Sequence, residues 1–454
     1  MADKVFYREL ECGLIAVQNG KSLDAETDCY DLSLLPTNTM REEFRRYLLH
    51  RGEKVSLKTV KHDKTYYNQL CQAIQRSRKK PRSFTDWNEK EWTKLLFVWM
   101  LGNGMPFFYE KNTVYGTTVK VQARLIRYVM NLLRFLQPQD LRQEKEKDVW
   151  RLDRLGLVIN DNPIYNTETL NFTGITQDGI REEFKLAIYQ HLKFEKLGTV
   201  QREMTSMRQF SAYLRAKEID IDSCAKIDRA LLEDYLIYKA TDGGSGRSNS
   251  DNILKLRNVL ETIGKICGYP NLERLFISTD IPSEIQPEFK TYSENELKRL
   301  NAHITKLDVQ LTRCLVIHQM LGTRISDTLT LKPDCLSMRE GRYFIRIDQV
   351  KSVTYEKAIS EEVARLIMKA IDYTKERYGE TTYIFVKKND PTKPYQYSMI
   401  QNQIMKMIRQ EDIRDDNGEL LQFGTHIFRH CYGKKLTEMH VDDWMIARLL
   451  GHTS

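Results

Sequence analysis

The four residues Arg-Glu-Glu-Phe occur twice in this chain, at 41–44 and again at 181–184. The segments that begin there, 41–74 and 181–214, align without a gap, and leucine, threonine, valine and glutamine recur at matching positions. Both segments place apolar residues three and four apart, which is the spacing of an amphipathic helix. A repeat at fixed spacing indicates a duplicated structural unit. We therefore predict two related helical modules in tandem; the alternative is that unrelated amphipathic helices simply resemble each other.

The length of 454 residues is too great for one ordinary hydrophobic core, so several domains are expected. Residues 276–293 contain two prolines and show no periodicity, which indicates a linker. Ser293 followed by Glu296 predicts a capping box at the start of a new helix. The predicted divisions are an N-terminal segment of unassigned role (1–40), a first helical module (41–140), a connecting segment (141–180), a second helical module (181–285) and a C-terminal domain (286–454).

The C-terminal domain has a mixed pattern. Residues 342–350 alternate apolar and polar side chains, and 356–360 follow after a break, which predicts two strands joined by a turn. Residues 381–388 predict another strand, whereas 398–410 and 426–439 return to helical periodicity. The predicted fold class is therefore mainly α, with a small β-sheet in the C-terminal domain.

The composition excludes several classes of protein. Lysine and arginine total 70 against 62 aspartate and glutamate, a net charge of +8, which by itself is weak evidence for a polyanionic partner. The eight cysteines are scattered without a C-x-x-C pair, which argues against a zinc module or a disulfide framework. The sequence contains neither a signal peptide nor an apolar run of about 18 residues. We predict a cytoplasmic protein without a membrane segment.

A break in an apolar helix introduces the first candidate site residue. The stretch "VIHQMLGTRISDTLTLK" has a Gly-Thr break, after which Arg324 begins a new helical segment with Thr323 as its predicted N-cap. An arginine at the start of a helix offers several donors that can fork onto two oxygens of an anion. A structural ion pair with Asp327, one turn later, is the alternative.

A second group is His426, Arg429 and His430, which a helix would place on one face. A guanidinium on that face would repel a divalent ion, so the group does not predict a metal site. It suits an anion instead, because arginine binds phosphate bidentately while imidazole donates or accepts a proton. Buried histidines with satisfied hydrogen bonds remain the alternative.

Four motifs occur together and in order: arginine in "GTRISDTLTL", lysine in "IDQVKS", "HIFRH" and "LLGH". In this order and separation they resemble the tyrosine recombinase, or phage integrase, family over about 181–454, most clearly over 290–454. The resemblance implies a catalytic domain preceded by a helical DNA-binding domain of the core-binding, SAM-like type. Segment 181–267 resembles that core-binding domain, and 41–137 would be a second copy.

The resemblance also implies a role for each matching residue. Arg324 and Arg429 would bind the non-bridging oxygens of a scissile DNA phosphate, and His452 would donate to the same oxygens. Lys351, at the turn between two strands, would protonate the leaving 5′ oxygen; Lys357 lies after the turn and is a poorer candidate. His426 would act as the base toward the nucleophile. Two further residues would brace the site: Asp327 and His430.

The reaction implied by the family forms a covalent 3′-phosphotyrosine link and requires neither a cofactor nor a metal. The family's nucleophilic tyrosine follows the "LGH" motif by roughly two to three helical turns. This sequence ends at Ser454, so we expect a shortened chain without the nucleophile, which binds DNA but does not cleave it.

The expected partner is double-stranded DNA at an inverted repeat or transposon end, bound by a dimer or tetramer in the bacterial cytoplasm at the nucleoid. The extra N-terminal module suggests a transposon-encoded integrase or transposase that moves a mobile element. The alternatives are a type IB topoisomerase, a DNA-binding relative without catalysis, and a helical protein scaffold. The residues predicted to contact the DNA backbone are Arg76, Arg78, Lys79, Lys80, Arg82 and Arg247.

Overall fold

The computed structural model describes residues 3–24, 26–113, 116–138, 140–165, 167–241, 248–282, 290–350 and 354–451. The described chain is mainly helical with short antiparallel ladders, which confirms the predicted fold class. It divides into two compact units, Met1–Leu141 and Arg142–Ser454. Within the described ranges, no helix combines the length and apolar character needed to cross a bilayer.

The first unit has its own aromatic-rich core, in which Tyr30, Phe44 and Tyr67 are fully buried. Its first 40 residues, for which no role was predicted, supply strands that pair beside this core. Its helices are α1 (Glu11–Gln18), α2 (Asn38–Lys54), α3 (Leu57–Arg76), α4 (Glu89–Gly102) and α5 (Arg124–Leu136). Its strands form two antiparallel pairs, β1 (Lys4–Phe6) with β2 (Cys29–Asp31) and β3 (Phe108–Asn112) with β4 (Thr118–Gln122).

The second unit begins with a pair of strands that is followed by several helices. Its first strands, β5 (Val149–Arg151) and β6 (Thr169–Asn171), form an antiparallel pair. They bury Trp150 and Phe172, so the segment predicted to be a mere connection contributes to the core. The helices that follow are α6 (Asp178–His191), α7 (Leu197–Ala216), α8 (Arg229–Thr241), α9 (Ser248–Cys267) and the short α10 (Pro270–Glu273).

Contacts in the first unit recur 140 residues later in the second. Helix α3 begins at Leu57 and α7 begins at Leu197, and every buried position of α3 is also buried in α7. Glu43 accepts a hydrogen bond from the hydroxyl of Ser83, and Glu183 accepts one from the hydroxyl of Ser223. The two units therefore share helix starts, buried positions and polar contacts that fix neighbouring turns.

A buried ion pair also occupies matching positions in the two units. In the first unit, Arg51 Nε lies 3.0 Å from the carboxylate of Asp63. In the second, His191 Nδ1 lies 2.8 Å from the carboxylate of Glu203, and its Nε2 contacts the hydroxyl of Thr262. Burial opposes a charge on His191, but the hydrogen bond and charge of Glu203 raise its pKa above the ordinary value. Histidine thus takes the place of arginine as the partner of the buried carboxylate between the two helices.

The remainder of the second unit carries a three-stranded antiparallel sheet in the order β7–β8–β9, with β7 (Leu336–Arg339), β8 (Arg342–Asp348) and β9 (Thr354–Ile359). The sheet includes both strands predicted around the turn. Its helices are α11 (Glu294–Ile304), α12 (Val309–Leu321), α13 (Ile325–Leu329), α14 (Glu361–Tyr378), α15 (Tyr397–Gln410), α16 (Thr425–Glu438) and α17 (Asp443–Leu449). Ser293 and Glu296 form the predicted capping box of α11.

One predicted strand is much shorter than expected. Of residues 381–388, only β10 (Val386–Lys387) is a strand, paired with β11 (Asp390–Pro394). The apolar residues before it are buried, and the backbone N–H of Ile384 donates to the carbonyl of Leu331 at 2.8 Å. Because that N–H bonds to a loop rather than to a neighbouring strand, the apolar run packs as an irregular core segment.

Candidate functional site

The site is built where α12 ends and α16 packs against it. Helix α12 ends at Gly322, whose φ of +60° is a left-handed conformation that favours glycine. A Cβ on Gly322 would lie 2.4 Å from the ring of Tyr432 on α16. Glycine therefore permits both the sharp reversal of the chain and the close approach of α16. This turn of the chain places Arg324 near the contact between α12 and α16.

Arg324 itself is the N-cap residue of α13, so the prediction that Thr323 has this role is wrong. Thr323 is buried, and its hydroxyl lies 2.6 Å from that of Thr328. The side chain therefore joins an internal hydrogen-bond chain and does not cap the helix.

Asp327 connects the turn around Arg324 to the segment that follows β8. Its Oδ1 accepts hydrogen bonds from the backbone N–H of Val350 and the hydroxyl of Ser326, each at 3.2 Å. Burial raises the pKa of Asp327 above its ordinary value, although these bonds and the charges of Arg324 and Arg429 oppose the shift. Arg324 Nη1 lies 4.0 Å from Asp327 Oδ2, and neither atom has a hydrogen-bond partner among the described residues. The guanidinium thus retains a donor for a ligand.

Arg429, on α16, is buried beside Arg324. Its Nη1 donates to the carbonyl of Gly322 at 3.1 Å and its Nη2 to the carbonyl of Leu450 at 2.7 Å. Burial and the positive charge of Arg324 lower the pKa of Arg429. The positive charges of Arg324 and Arg429 repel each other, and an anion bound between them would remove that cost. The geometry favours an anion site.

Tyr355 was not predicted from the sequence but belongs to this cluster. Its hydroxyl is buried and has no hydrogen-bond partner among the described residues. Burial, and then the charge of Asp327, raise its pKa, while the two arginines lower it. A Cβ on Gly451 would lie 2.5 Å from the Tyr355 ring, so the "LLGH" motif packs directly on this residue. A single tyrosine within a predicted strand does not indicate that it will contact Gly451, which lies far away in the sequence.

The two histidines of α16 face different surroundings. His426 is exposed in the first turn of the helix, and its ring lies edge-on to that of His430, with centroids 4.9 Å apart. His430 Nδ1 donates to the carbonyl of Lys290 at 3.0 Å, which fixes the linker before α11. His430 thus contacts a loop, whereas His426 is exposed at the surface of the helix.

His318 is a further residue that sequence reasoning missed. Its Nε2 donates to the carbonyl of Thr425 at 3.1 Å, and its Nδ1 lies 2.9 Å from the hydroxyl of Thr328. These bonds connect α12, α13 and α16 through one neutral imidazole. Burial, together with the charges of Arg429 and His426, lowers the pKa of His318 to about 4, although the hydrogen bond to Thr425 opposes this shift.

We expect this buried imidazole to make the second unit less stable in acid. A histidine whose folded pKa of about 4 lies below its unfolded value of about 6.5 contributes stability above pH 6.5. That contribution, about 3 kcal/mol, is lost as the pH falls from about 6.5 towards 4. Unfolding titrations of wild type and His318→Gln between pH 7 and 4 check this, with His440→Asn as control. The same pH dependence in wild type and His318→Gln would contradict it.

Lys357 is buried beside the site, where it contacts backbone carbonyls. Its Nζ donates to the carbonyls of Leu321 and Leu449 and sits 5.0 Å from the ring centroid of Tyr432. Burial, with the charge of Arg429, lowers its pKa to about 7. It therefore connects the end of α12, just before "GTR", to the end of α17, where "LLGH" begins.

Three predicted site residues lie outside the described residues: Lys351, His452 and Arg247. Their neighbours Val350 and Gly451 both contact the cluster, through Asp327 and Tyr355 respectively. The structure thus brings Arg324, Asp327 and Arg429 together. The predicted DNA-contacting residues of the first unit are all exposed: Arg76, Arg78, Lys79, Lys80 and Arg82.

One group of described residues has metal-ligand geometry, and it lies elsewhere. His191, Glu195 and Glu203 place three possible ligand atoms within 4.8 Å of one another. His191 and Glu203 already form the buried pair that matches Arg51 and Asp63 in the first unit. An arginine cannot bind a metal ion, so the matching pair favours an ion pair here as well.

The chain is similar in sequence and in structure to several known proteins. Transposase B from transposon Tn554 of Staphylococcus aureus is 26% identical over 337 residues, which is 72% of this chain and 53% of the relative. The chain therefore spans about half the length of the curated relatives it matches. The XerH recombinase bound to its difH substrate is 16% identical, with a TM-score of 0.43, over 62% of this chain and 86% of that one. The Tn1549 transposon integrase in complex with circular intermediate DNA is 15% identical, with a TM-score of 0.43, over 60% of this chain and 92% of that one.

The family itself is identified over the C-terminal region. Residues 290–454 match the model of the phage integrase family. This range contains Arg324, Asp327 and Arg429 together with the three-stranded sheet. The C-terminal region of the chain therefore carries a phage integrase (tyrosine recombinase) domain.

Proposed function

We propose that this protein cuts and rejoins DNA strands at defined sites through a 3′-phosphotyrosine intermediate, and thereby moves a mobile genetic element. The observation that carries the proposal is the paired arrangement of Arg324 and Arg429, with an unpartnered Arg324 donor buried between helices. A phosphodiester places one negative charge on two non-bridging oxygens, which matches two guanidinium groups. The phage integrase domain over residues 290–454 and the similarity to transposases support the same substrate.

In this mechanism the protein stabilises a pentacoordinate phosphorane. A tyrosine hydroxyl attacks the phosphorus, and the bond from phosphorus to the 5′ oxygen breaks as the new bond forms. His426 takes the tyrosine proton, and Lys351 gives a proton to the leaving 5′ oxygen. Arg324, Arg429 and His452 bind the non-bridging oxygens, where negative charge accumulates. Rejoining is the reverse attack by a 5′ hydroxyl, so the phosphodiester energy is conserved.

The remaining residues of the cluster hold these groups in place. Asp327 connects the Arg324 turn to the strand end that precedes Lys351, and His430 anchors α16 to the linker. Neither contacts the substrate in this scheme, so both are positioning residues. The proposed partners are double-stranded DNA at an inverted repeat or transposon end and further copies of the protein, dimeric or tetrameric on DNA at the bacterial nucleoid.

The test is covalent trapping on nicked DNA. The reading frame in its natural length and a polypeptide of residues 1–454 are each incubated with nicked duplexes carrying candidate element ends. We expect the natural-length protein to form an adduct that resists denaturant, and Arg324→Ala in that protein to abolish it. We expect the polypeptide of residues 1–454 to bind the same duplexes.

Other results would point to the alternatives. Binding without any adduct from the natural-length protein would indicate a DNA-binding relative that lacks catalysis. Relaxation of supercoiled plasmid without a required sequence would indicate a type IB topoisomerase. Either result would overturn the proposed recombination.

A further inference from the structure

The hydroxyl of Tyr355, on β9, is buried and has no hydrogen-bond partner among the described residues. Two tyrosines buried elsewhere in the chain do have acceptors. Tyr30 donates to the carbonyl of Val60 at 2.7 Å, and Tyr292 donates to the carbonyl of Gln422 at 2.9 Å. An unpartnered buried hydroxyl costs free energy, and a ligand that accepts a hydrogen bond from it would recover that cost.

The alternation of side chains along β9 explains why this phenol faces the site. Tyr355 and Lys357 lie two residues apart and therefore on the same side of the strand, whereas Glu356 between them is exposed. The ammonium of Lys357 donates to the carbonyl of Leu321 at the end of α12. This side of β9 therefore faces the helix end that leads to Arg324.

The chain at "LLGH" packs against the hydroxyl end of the Tyr355 ring. A Cβ on Gly451 would lie 2.5 Å from Cε1 of that ring and 2.8 Å from Cζ, the carbon that bears the hydroxyl. It would also lie 2.3 Å from Nε2 of Gln349. The backbone of Gly451 thus restricts the ring. A donor that is held in place before the substrate binds stabilises a transition state without a cost of reorganisation.

Three charged side chains of the site act on this hydroxyl. Burial, followed by the carboxylate of Asp327, raises the pKa of Tyr355, whereas the charges of Arg429 and Arg324 lower it. The net shift is upward, so the hydroxyl stays protonated at neutral pH and can donate. The Arg324 side chain is 27% exposed, and its Nη1 also has no partner within the described chain. The phenol and the guanidinium therefore offer two donors to one anion.

A hydrogen bond to Asp327 is the competing role for the hydroxyl. Asp327 Oδ2 likewise has no hydrogen-bond partner among the described residues. In that role Tyr355 would hold the turn around Arg324 and would not touch the substrate. The two roles differ in whether the effect of the hydroxyl depends on one particular oxygen of the phosphate.

We propose that Tyr355 is a further catalytic residue, whose hydroxyl donates to a non-bridging oxygen of the scissile phosphate bound by Arg324 and Arg429. The assignment rests on the proposed function, because it takes the bound anion to be a DNA phosphodiester. Negative charge on the non-bridging oxygens grows in the pentacoordinate transition state, so this donor would contribute more to the cleavage rate than to DNA affinity.

The first test is single-turnover cleavage of a nicked duplex by the natural-length protein carrying Tyr355→Phe. We expect cleavage to slow about 10²-fold, with DNA affinity unchanged. The melting temperature should stay the same or rise, because the folded protein loses no hydrogen bond. Two controls accompany it. Tyr343→Phe, on β8 and away from Ile347, which pairs with Tyr355, should cleave at the wild-type rate. Tyr292→Phe should lower the melting temperature, because its hydroxyl makes two hydrogen bonds.

The second test replaces one non-bridging oxygen of the scissile phosphate by sulfur, a poor hydrogen-bond acceptor, in each of the two stereoisomers. Wild type and Tyr355→Phe are compared on both isomers and on the normal phosphate. We expect the defect of Tyr355→Phe to fall below about tenfold on one isomer and to stay near 10²-fold on the other. An equal defect on all three substrates would overturn direct contact and would assign Tyr355 to positioning through Asp327.

A third measurement needs neither DNA nor cleavage. Orthovanadate, an inorganic phosphate analogue, is titrated against the 454-residue chain and its binding is followed by thermal shift. We expect wild type and Tyr343→Phe to bind it equally, Tyr355→Phe to bind about tenfold more weakly, and Arg324→Ala to lose binding. Equal affinities for wild type and Tyr355→Phe would overturn the proposal.

The proposed function fails separately from this assignment. If the natural-length protein forms no adduct and the chain binds no vanadate, the proposed function is wrong and the role of Tyr355 falls with it. If adduct formation and vanadate binding both depend on Arg324 but not on the Tyr355 hydroxyl, only the assignment of Tyr355 is wrong.

Discussion

Arg324→Lys should lower the rate of strand cleavage by about 10² to 10⁴ while leaving the melting temperature and the affinity for duplex DNA nearly unchanged. Lysine keeps the charge but loses the planar fork that binds two oxygens of a phosphate. The folded state loses little, because Arg324 Nη1 makes no hydrogen bond within the described chain and its ion pair with Asp327 spans 4.0 Å. The measurement is single-turnover cleavage of a nicked duplex by the natural-length protein, with thermal unfolding in parallel.

Arg429→Lys serves as the contrasting variant. Arg429 donates to the carbonyls of Gly322 and Leu450, so its loss should lower both cleavage and the melting temperature. Arg339→Lys is the control, since Arg339 is exposed and pairs with Glu356 at the edge of the sheet. If Arg324→Lys cleaves DNA at the wild-type rate, Arg324 is not a catalytic residue. A large fall in its melting temperature would assign it a structural role instead.

Gly322→Ala should destabilise the second unit by about 2 to 5 kcal/mol and reduce cleavage with it. Two costs add: the left-handed backbone conformation disfavours a side chain, and the new methyl would overlap the ring of Tyr432. Relief of that overlap would move the Gly322 carbonyl, which accepts from Arg429. Chemical unfolding of the 454-residue chain, followed in the second unit, measures the loss.

The matched control is Gly341→Ala in the turn between β7 and β8. Gly341 has a φ of +73° but open space around its Cβ position, so it carries the backbone cost of about 1 to 2 kcal/mol alone. Adding Tyr432→Ala to Gly322→Ala should recover part of the stability, because the overlapping ring is removed. Equal losses at Gly322 and Gly341 would show that the close approach of α16 contributes nothing.

The sequence by itself determined the local elements and the order of the chemical groups. Apolar spacing placed α15 and α16 to within a residue or so, and Ser293 with Glu296 identified the start of α11, because such signals lie within a few residues. The order of four short motifs identified the family later matched over residues 290–454. The recurrence of Arg-Glu-Glu-Phe pointed to the 140-residue spacing at which buried contacts recur.

Tertiary structure decided which groups meet. The pairs β1–β2 and β5–β6 join segments more than 15 residues apart, so no local pattern predicted them. Thr323 bonds to Thr328 instead of capping α13, and 381–388 packs as a core segment because Ile384 donates to a distant loop. Tyr355 and His318 join the site through partners more than 70 residues away or on other elements. Local periodicity specifies how a segment folds, whereas tertiary packing determines which charged side chains are buried next to each other. In the proposed mechanism, that packing makes Arg324 and Arg429 a phosphate site.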